Sequence, residues 1–188
     1  MAIITFLQAA GAGNDSIDNW GDSVSIDGGA DNDTIKNTGS NVSITGGNGN
    51  DSIYSYTEAH YNENLQIERL NHDATLEGGA GDDTIRNTGM NRASIGGGDG
   101  NDLMDNSDVR YLNKETKKYE TFTPDDATLE GGKGNDRITN NGANVLFIYN
   151  SGDGNDTVHG FREDSTLQIG DGTGTYSKRT IGSNIIVT

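Results

Sequence analysis

The chain has 188 residues, of which 30% are hydrophobic and 6% aromatic, and 29 acidic against 13 basic side chains leave a net charge of −16. That composition excludes a thick globular core, and the acidity repels nucleic acid and anionic membranes. With no cysteine in the sequence, neither disulfides nor thiolate zinc sites can staple a thin fold. Low hydrophobicity with high net charge would ordinarily predict disorder, but a disordered linker has no reason to repeat Gly, Asp and Ile at fixed phase.

In chain order, Ile3 to Leu7 can supply a first strand. The opening Met1-Ala2-Ile3-Ile4-Thr5-Phe6-Leu7 lacks the basic start and long apolar stretch of a secretory signal, and nothing later is an apolar run of about 18 residues that would span a membrane. The expectation is an excised piece of a longer protein, or one exported by information elsewhere in its chain. From residue 10 a glycine-rich loop delivers an aspartate just before an aliphatic residue seven times, at Asp15, Asp33, Asp51, Asp83, Asp102, Asp136 and Asp156. The separations are 18, 18, 32, 19, 34 and 20 residues, so 18 is the underlying period. Self-similarity at a short period means a solenoid whose coils bury their apolar faces only against each other.

The coil from Gly28 to Thr45 reads as two turns and two short strands. Thr34-Ile35-Lys36 points one aliphatic side chain inward, and Val42-Ser43-Ile44 points two. Ile17, Ile53, Ile85, Met104, Ile138 and Val158 recur at the first inward position. Val24 and Ile26, Ala74 and Leu76, Ala93 and Ile95, and Ala127 and Leu129 recur at the second pair. Stacked about 4.8 Å apart, these residues form aliphatic columns along a flattened cylinder.

Loop glycines such as Gly46, Gly47 and Gly49 permit positive φ and let carbonyls crowd towards one point, where the Asp adds a carboxylate. Hard oxygen donors at that density suit calcium and not zinc or copper. The candidate ligands are the seven aspartates with the backbone carbonyls of Gly11, Gly13, Gly28, Ala30, Gly46, Asn48, Gly78, Ala80, Gly97, Asp99, Gly131, Lys133 and Asp153. Asn14, Asn32, Asn50, Asp82, Asn101, Asn135 and Asn155, each preceding a ligand, read as side chains bonding local backbone. The first loop has Ala10 and Ala12, the last begins with Ser151, and Asp31 replaces the fourth glycine of the second, so these should bind more weakly. Asp31 is also a candidate extra ligand.

The pattern resembles the calcium-binding nonapeptide repeat of RTX (haemolysin-type) proteins, Gly-Gly-x-Gly-x-Asp-x-aliphatic-x. The resemblance covers roughly residues 10 to 160. It implies an all-β, right-handed parallel β-roll or β-solenoid of about seven coils, extracellular calcium, and export in an unfolded state by a type I system. One departure is informative: the alternate edge, as in Asn37-Thr38-Gly39-Ser40-Asn41, carries no carboxylate at the ligand position. Calcium is therefore expected along one edge, in six interloop sites, and six divalent ions would move the charge from −16 to −4.

Two excesses of 14 and 16 residues over the period enlarge the plain edge, near 55–72 and 106–125. The second reads as a β-hairpin around Asn113-Lys114-Glu115-Thr116. The first holds Tyr54, Tyr56, Glu58, His60, Tyr61, Glu63, Glu68 and Arg69. Together they could form a ledge on which Tyr56, His60, Tyr61, Tyr111 and Tyr119 bind a cell-surface glycan or protein, although aromatic residues of a hairpin more often pack on each other. His60, His72 and Glu63 make only a weak catalytic set, and no enzyme is expected. An outward Ser/Thr row (Ser25, Ser43, Thr75, Ser94, Thr128) lacks the matching threonine row of an ice-binding surface. After Val145 to Tyr149 the repeat yields to Phe161 to Ile169 and Ile185 to Val187, which look like a closing segment. The expected organisation is one domain over 1–188, with a strand or cap at 1–9, repeats at 10–160 and a cap at 161–188. In function it is a calcium-folded structural or export-coupled module of a secreted or surface protein.

Overall fold

The computed structural model describes residues 6–56, 60–61, 67–69, 73–113, 115–170, 178–181 and 184–187. Among them there is no helix, and the strands form two long parallel sheets. One sheet stacks Phe6–Ala12, Val24–Ala30, Val42–Asn48, Ala74–Ala80, Ser94–Asp99, Thr128–Lys133, Leu146–Tyr149 and Thr166–Ile169 in chain order. The other stacks Ser16–Asn19, Thr34–Asn37, Ser52–Tyr56, Thr84–Thr88, Leu103–Ser107, Arg137–Asn140 and Asp156–His159. Each of the seven coils passes from a first-sheet strand through an Asp loop into a second-sheet strand, then across the plain edge to the next first-sheet strand. This is the parallel β-roll that the period implies.

Register follows the repeat. Ile17, Ile35, Ile53, Ile85, Met104, Ile138 and Val158 stand opposite one another in succession. Ile26, Ile44, Leu76, Ile95, Leu129 and Phe147 form the second column, with Val24, Val42, Ala74, Ala93, Ala127 and Val145 beside it, all buried. Alternation makes this possible: from Ala74 to Glu77 the side chains are in turn buried and exposed, because successive residues of a strand face opposite sides. A shift by one residue would turn the whole column to solvent.

The front coil is described from Phe6 onward. Its strand begins by Phe6 and runs through the first loop to Ala12, with Gln8 opposite Ile26. Residues 3–5 lie outside the described residues. Among the described residues a polar side chain, Gln8, thus stands in register with the first of an aliphatic column. At the back, Phe161 packs its ring 5.5 Å from that of Phe147, and Leu167 joins the core. There Asn184–Val187 adds to Asp156–His159 in the antiparallel sense, with Lys178–Ile181 beyond it. An antiparallel strand ends the parallel stack and blunts its edge.

Both insertions leave the second sheet on the plain edge. Ser52–Tyr56 stays in register to Tyr56, opposite Thr88, and Leu103–Ser107 to Ser107. In the first insertion, His60–Tyr61 pairs antiparallel with Ile67–Arg69. In the second, Val109–Leu112 pairs with Tyr119–Phe122, Val109 opposite Phe122 and Leu112 opposite Tyr119.

Candidate metal edge

Strand register decides what each loop aspartate touches. Because consecutive coils are in line, the Oδ1 of each aspartate accepts a hydrogen bond from the backbone N–H of the aspartate one coil earlier. The donors are Asp15, Asp33, Asp51, Asp83, Asp102 and Asp136, the acceptors Asp33, Asp51, Asp83, Asp102, Asp136 and Asp156, at 2.7 to 3.0 Å. The other oxygen is left over. The Oδ2 atoms of Asp15, Asp33, Asp51, Asp83, Asp102 and Asp136 are buried with no hydrogen-bond partner. An ionised carboxylate oxygen in that state is costly unless a cation or proton meets it.

What lies beside the orphan oxygens is backbone carbonyl. A Cβ built on Gly28 would lie 2.5 Å from Asp33 Oδ2 and 2.5 Å from the carbonyl oxygen of Gly46 in the next coil. The same pairing recurs at Gly46 with Asp51 and the Gly78 carbonyl, at Gly78 with Asp83 and Gly97, and at Gly97 with Asp102 and Gly131. Only glycine leaves that space open. At the second loop position, Gly47 at φ 115 brings its Cα over the Gly29 carbonyl, where a side chain would overlap it. Carboxylate and carbonyl oxygens converging between coils are donors of the class that calcium prefers. No three His, Cys, Asp or Glu side chains cluster as a metal cage among the described residues. The oxygens gathered on this edge are instead one carboxylate per coil with backbone carbonyls beside it.

The predicted carbonyl ligands divide into two groups. Those of Gly46, Gly78, Gly97 and Gly131 face the orphan carboxylates as described. Those of Ala30, Ala80, Asp99, Lys133 and Asp153 accept the N–H of the fourth-position residue one coil earlier, Gly13, Gly49, Gly81, Gly100 and Gly134, which leaves one lone pair on each. Gly28 and Asn48 hold the equivalent first and third positions in their loops. In the first loop Gly11 stands opposite Gly29 and Ala12 opposite Ala30. The equivalents of Gly28 and Ala30 there are accordingly Ala10 and Ala12, one residue before Gly11 and Gly13. Asp31, at φ 74, turns its carboxylate to the Gly13 N–H at 3.0 Å.

The asparagines before the ligands also reach across coils. Asn14, Asn32, Asn50, Asp82, Asn101 and Asn135 each accept, through Oδ1, the N–H of the matching residue one coil later. Their bonds run between coils, not locally as the sequence suggested, and in the opposite direction to those of the aspartates. Each loop is thereby clamped from both sides.

Burial and crowding act on the acids. Burial first, and like charge second, push Asp83 up to about 6 and Asp102 up to about 7, against the stabilising N–H donors of Asp51 and Asp83. Asp156 is pushed up to about 7 in the same way, with Asp136 and Asp153 as its charged neighbours. Asp51 and Asp136 are raised chiefly by burial as well. Without a cation this edge resists full ionisation.

The plain edge holds a feature that the sequence reading missed. Asn19 donates from Nδ2 to Asn37 Oδ1, Asn87 to Asn106, and Asn106 to Asn140, all buried. Ser55 interrupts the ladder, and Met90, fully buried, fills the space beside it. Asn87 Oδ1 is left without a partner. The signal was the residue two after each inward aliphatic, which alternation also turns inward.

The ledge residues separate. Tyr56 belongs to the second sheet rather than to an insertion. His60 and Tyr61 lie on a described strand, but their side chains, with Glu58, Glu63 and His72, lie outside the described residues. Tyr111 packs its ring 5.3 Å from Phe122, and Arg110 lies 5.2 Å over the exposed ring of Tyr119.

With this geometry established, comparison with known proteins adds one finding. The family profile of the RTX calcium-binding nonapeptide repeat matches in four copies, over residues 27–56, 71–86 and 123–147. No curated protein and no solved structure matches the chain. The matched copies include the loops of Asp33, Asp51, Asp83 and Asp136.

Proposed function

We propose that this array of RTX calcium-binding nonapeptide repeats is an extracellular module that folds on binding about six calcium ions along its one acidic edge. In that role it serves as a structural or export-coupled segment of a secreted or surface protein. The repeats are calcium-binding structural repeats and not a catalytic family. The observation that carries the finer reading is the row of six buried, unpartnered Oδ2 atoms, one between each successive pair of coils. Asp15, Asp33, Asp51, Asp83, Asp102 and Asp136 supply these oxygens, Asp156 closes the row, and the first-position carbonyls of Gly46, Gly78, Gly97 and Gly131 complete the donors.

Calcium does the work of a missing core. A chain at −16 with a thin aliphatic interior repels itself when metal-free, whereas extracellular modules bind calcium at about 10⁻⁴ to 10⁻³ M, so that low cytosolic calcium leaves it open and external calcium closes it. Circular dichroism with calcium and then with a chelator tests this: β-structure should be gained and lost with the metal, together with binding of about six ions by calorimetry. Full β-structure after calcium removal would sink the reading. The glycan reading loses support from the hairpin, because Tyr111 is turned onto Phe122 and Tyr119 is covered on one face by Arg110.

A further inference from the structure

The hairpin of the second insertion departs from the rest of the molecule in charge and in polarity. Residues 109–122 carry Arg110, Lys114, Lys117 and Lys118 against Glu115 and Glu120. That is +2 in a chain of −16, so the remainder stands at −18. Alternation splits its side chains between two faces. Val109, Tyr111, Glu120 and Phe122 are half-buried, while Arg110, Leu112, Tyr119 and Thr121 are exposed. Leu112 is 44% and Tyr119 64% exposed, which puts two of the five large exposed hydrophobics among the described residues on one small surface.

We propose that this outer face is a docking surface for an acidic polypeptide segment. Arg110 lies across the Tyr119 ring, which fixes its guanidinium and presents its N–H groups to a carboxylate. Leu112 and Tyr119 supply apolar area that only a partner with apolar side chains can cover, and Tyr and Arg are the residues that dominate protein interfaces. Lys117 and Lys118, both exposed, form a basic rim at the tip. Insertions in solenoids map to one face, often the binding face. A saccharide is a poorer match, since Arg110 already takes one face of the Tyr119 ring and Tyr111 is turned onto Phe122, which leaves a single ring face on the hairpin for stacking. A second copy is disfavoured by repulsion between two chains of −16.

The test uses the calcium-loaded chain and a labelled glutamate-rich peptide carrying two or three leucines, with heparin, phosphatidylserine vesicles and sedimentation of the chain alone as competing arms. The peptide should bind, and Arg110→Glu and Lys118→Glu should each weaken it about tenfold, as loss of an interface charge does. Tyr119→Ala and Leu112→Ser should weaken it about tenfold even at high salt, whereas Glu115→Lys should strengthen it. Circular dichroism checks that each variant keeps the roll, and the tip changes Lys118→Glu and Glu115→Lys suffice if Tyr119→Ala disturbs the hairpin. Peptide binding unmoved by the charge variants, or by both apolar ones, overturns the proposal. So does binding of heparin or vesicles in preference to the peptide, or concentration-dependent association of the chain that Lys118→Glu abolishes.

Discussion

At Ser23, Asn41, Asp73, Arg92, Asp126 and Asn144 the backbone turns left-handed, with φ between 53 and 58, just before a first-sheet strand. Asparagine and aspartate tolerate that conformation better than most residues, and serine gains less from it. Ser23→Gly should therefore stabilise the calcium-loaded protein by about 1 kcal/mol, read from the urea midpoint. Arg92 offsets its own strain through a paired contact with Asp73, at 2.7 and 2.8 Å. On the acidic edge Asp102 is pushed up to about 7, chiefly by burial, and carries an orphan Oδ2. Asp102→Asn keeps the Oδ1 acceptor for the Asp83 N–H but removes the charge. It should lower the calcium stoichiometry by one and raise the calcium midpoint of folding by about tenfold, because affinity follows ligand charge. An unchanged stoichiometry would remove Asp102 from the ligands.

Along each coil the strands hold two kinds of column, aliphatic and amide. The aliphatic columns could be read from the repeated Asp-x-Ile phrase. The asparagine ladder could have been read from the same phrase, since Asn19, Asn37, Asn87, Asn106 and Asn140 follow their aliphatic residue by two. What the phrase cannot show is that buried asparagines bond each other, because that depends on coils lying in exact line. Asn106 accepts from Asn87 and donates to Asn140 and to the Pro124 carbonyl. Asn106→Ala strands those partners in the interior and should cost about 1 to 3 kcal/mol in urea unfolding with calcium present. A loss no larger than that of an exposed change such as Ser94→Ala would show the ladder to be dispensable. In the second insertion, the two arms and their turn were legible, but not which tyrosine faces outward. Pairing of Val109 with Phe122 fixes that choice.

For the whole molecule, the proposed remedy for acidity and thinness is a row of cations, and protons would partly replace them. Asp83, Asp102 and Asp156 have folded pKa values of about 6, 7 and 7 against an ordinary carboxylate value of 3.8. A raised acid pKa means that the folded state binds protons the unfolded state does not. The metal-free fold is then penalised in full above about pH 7 and relieved progressively as the pH falls towards 4. In chelator, β-structure should be greater at pH 5 than at pH 8. Protons and calcium compete for the same oxygens, so the calcium midpoint should rise as the pH is lowered from 7.5 to 6. Better apo folding at pH 8 than at pH 5 would contradict both statements.

The period, the alternation within each coil and the placing of carboxylates on one edge were settled by the sequence alone, because a coil that repeats itself must stack on itself. The tertiary structure decided that Oδ2 is the unpartnered atom in six of the seven loop aspartates. Register aims one N–H per coil at Oδ1 and none at Oδ2, and no spacing of residues along a chain encodes that division. It also decided that a polar residue, Gln8, stands opposite Ile26 of an aliphatic column, and that the basic hairpin shows Arg110 and Tyr119 to solvent while turning Tyr111 onto Phe122. Those outcomes depend on which strands pair and in what line, and only the folded chain brings them together.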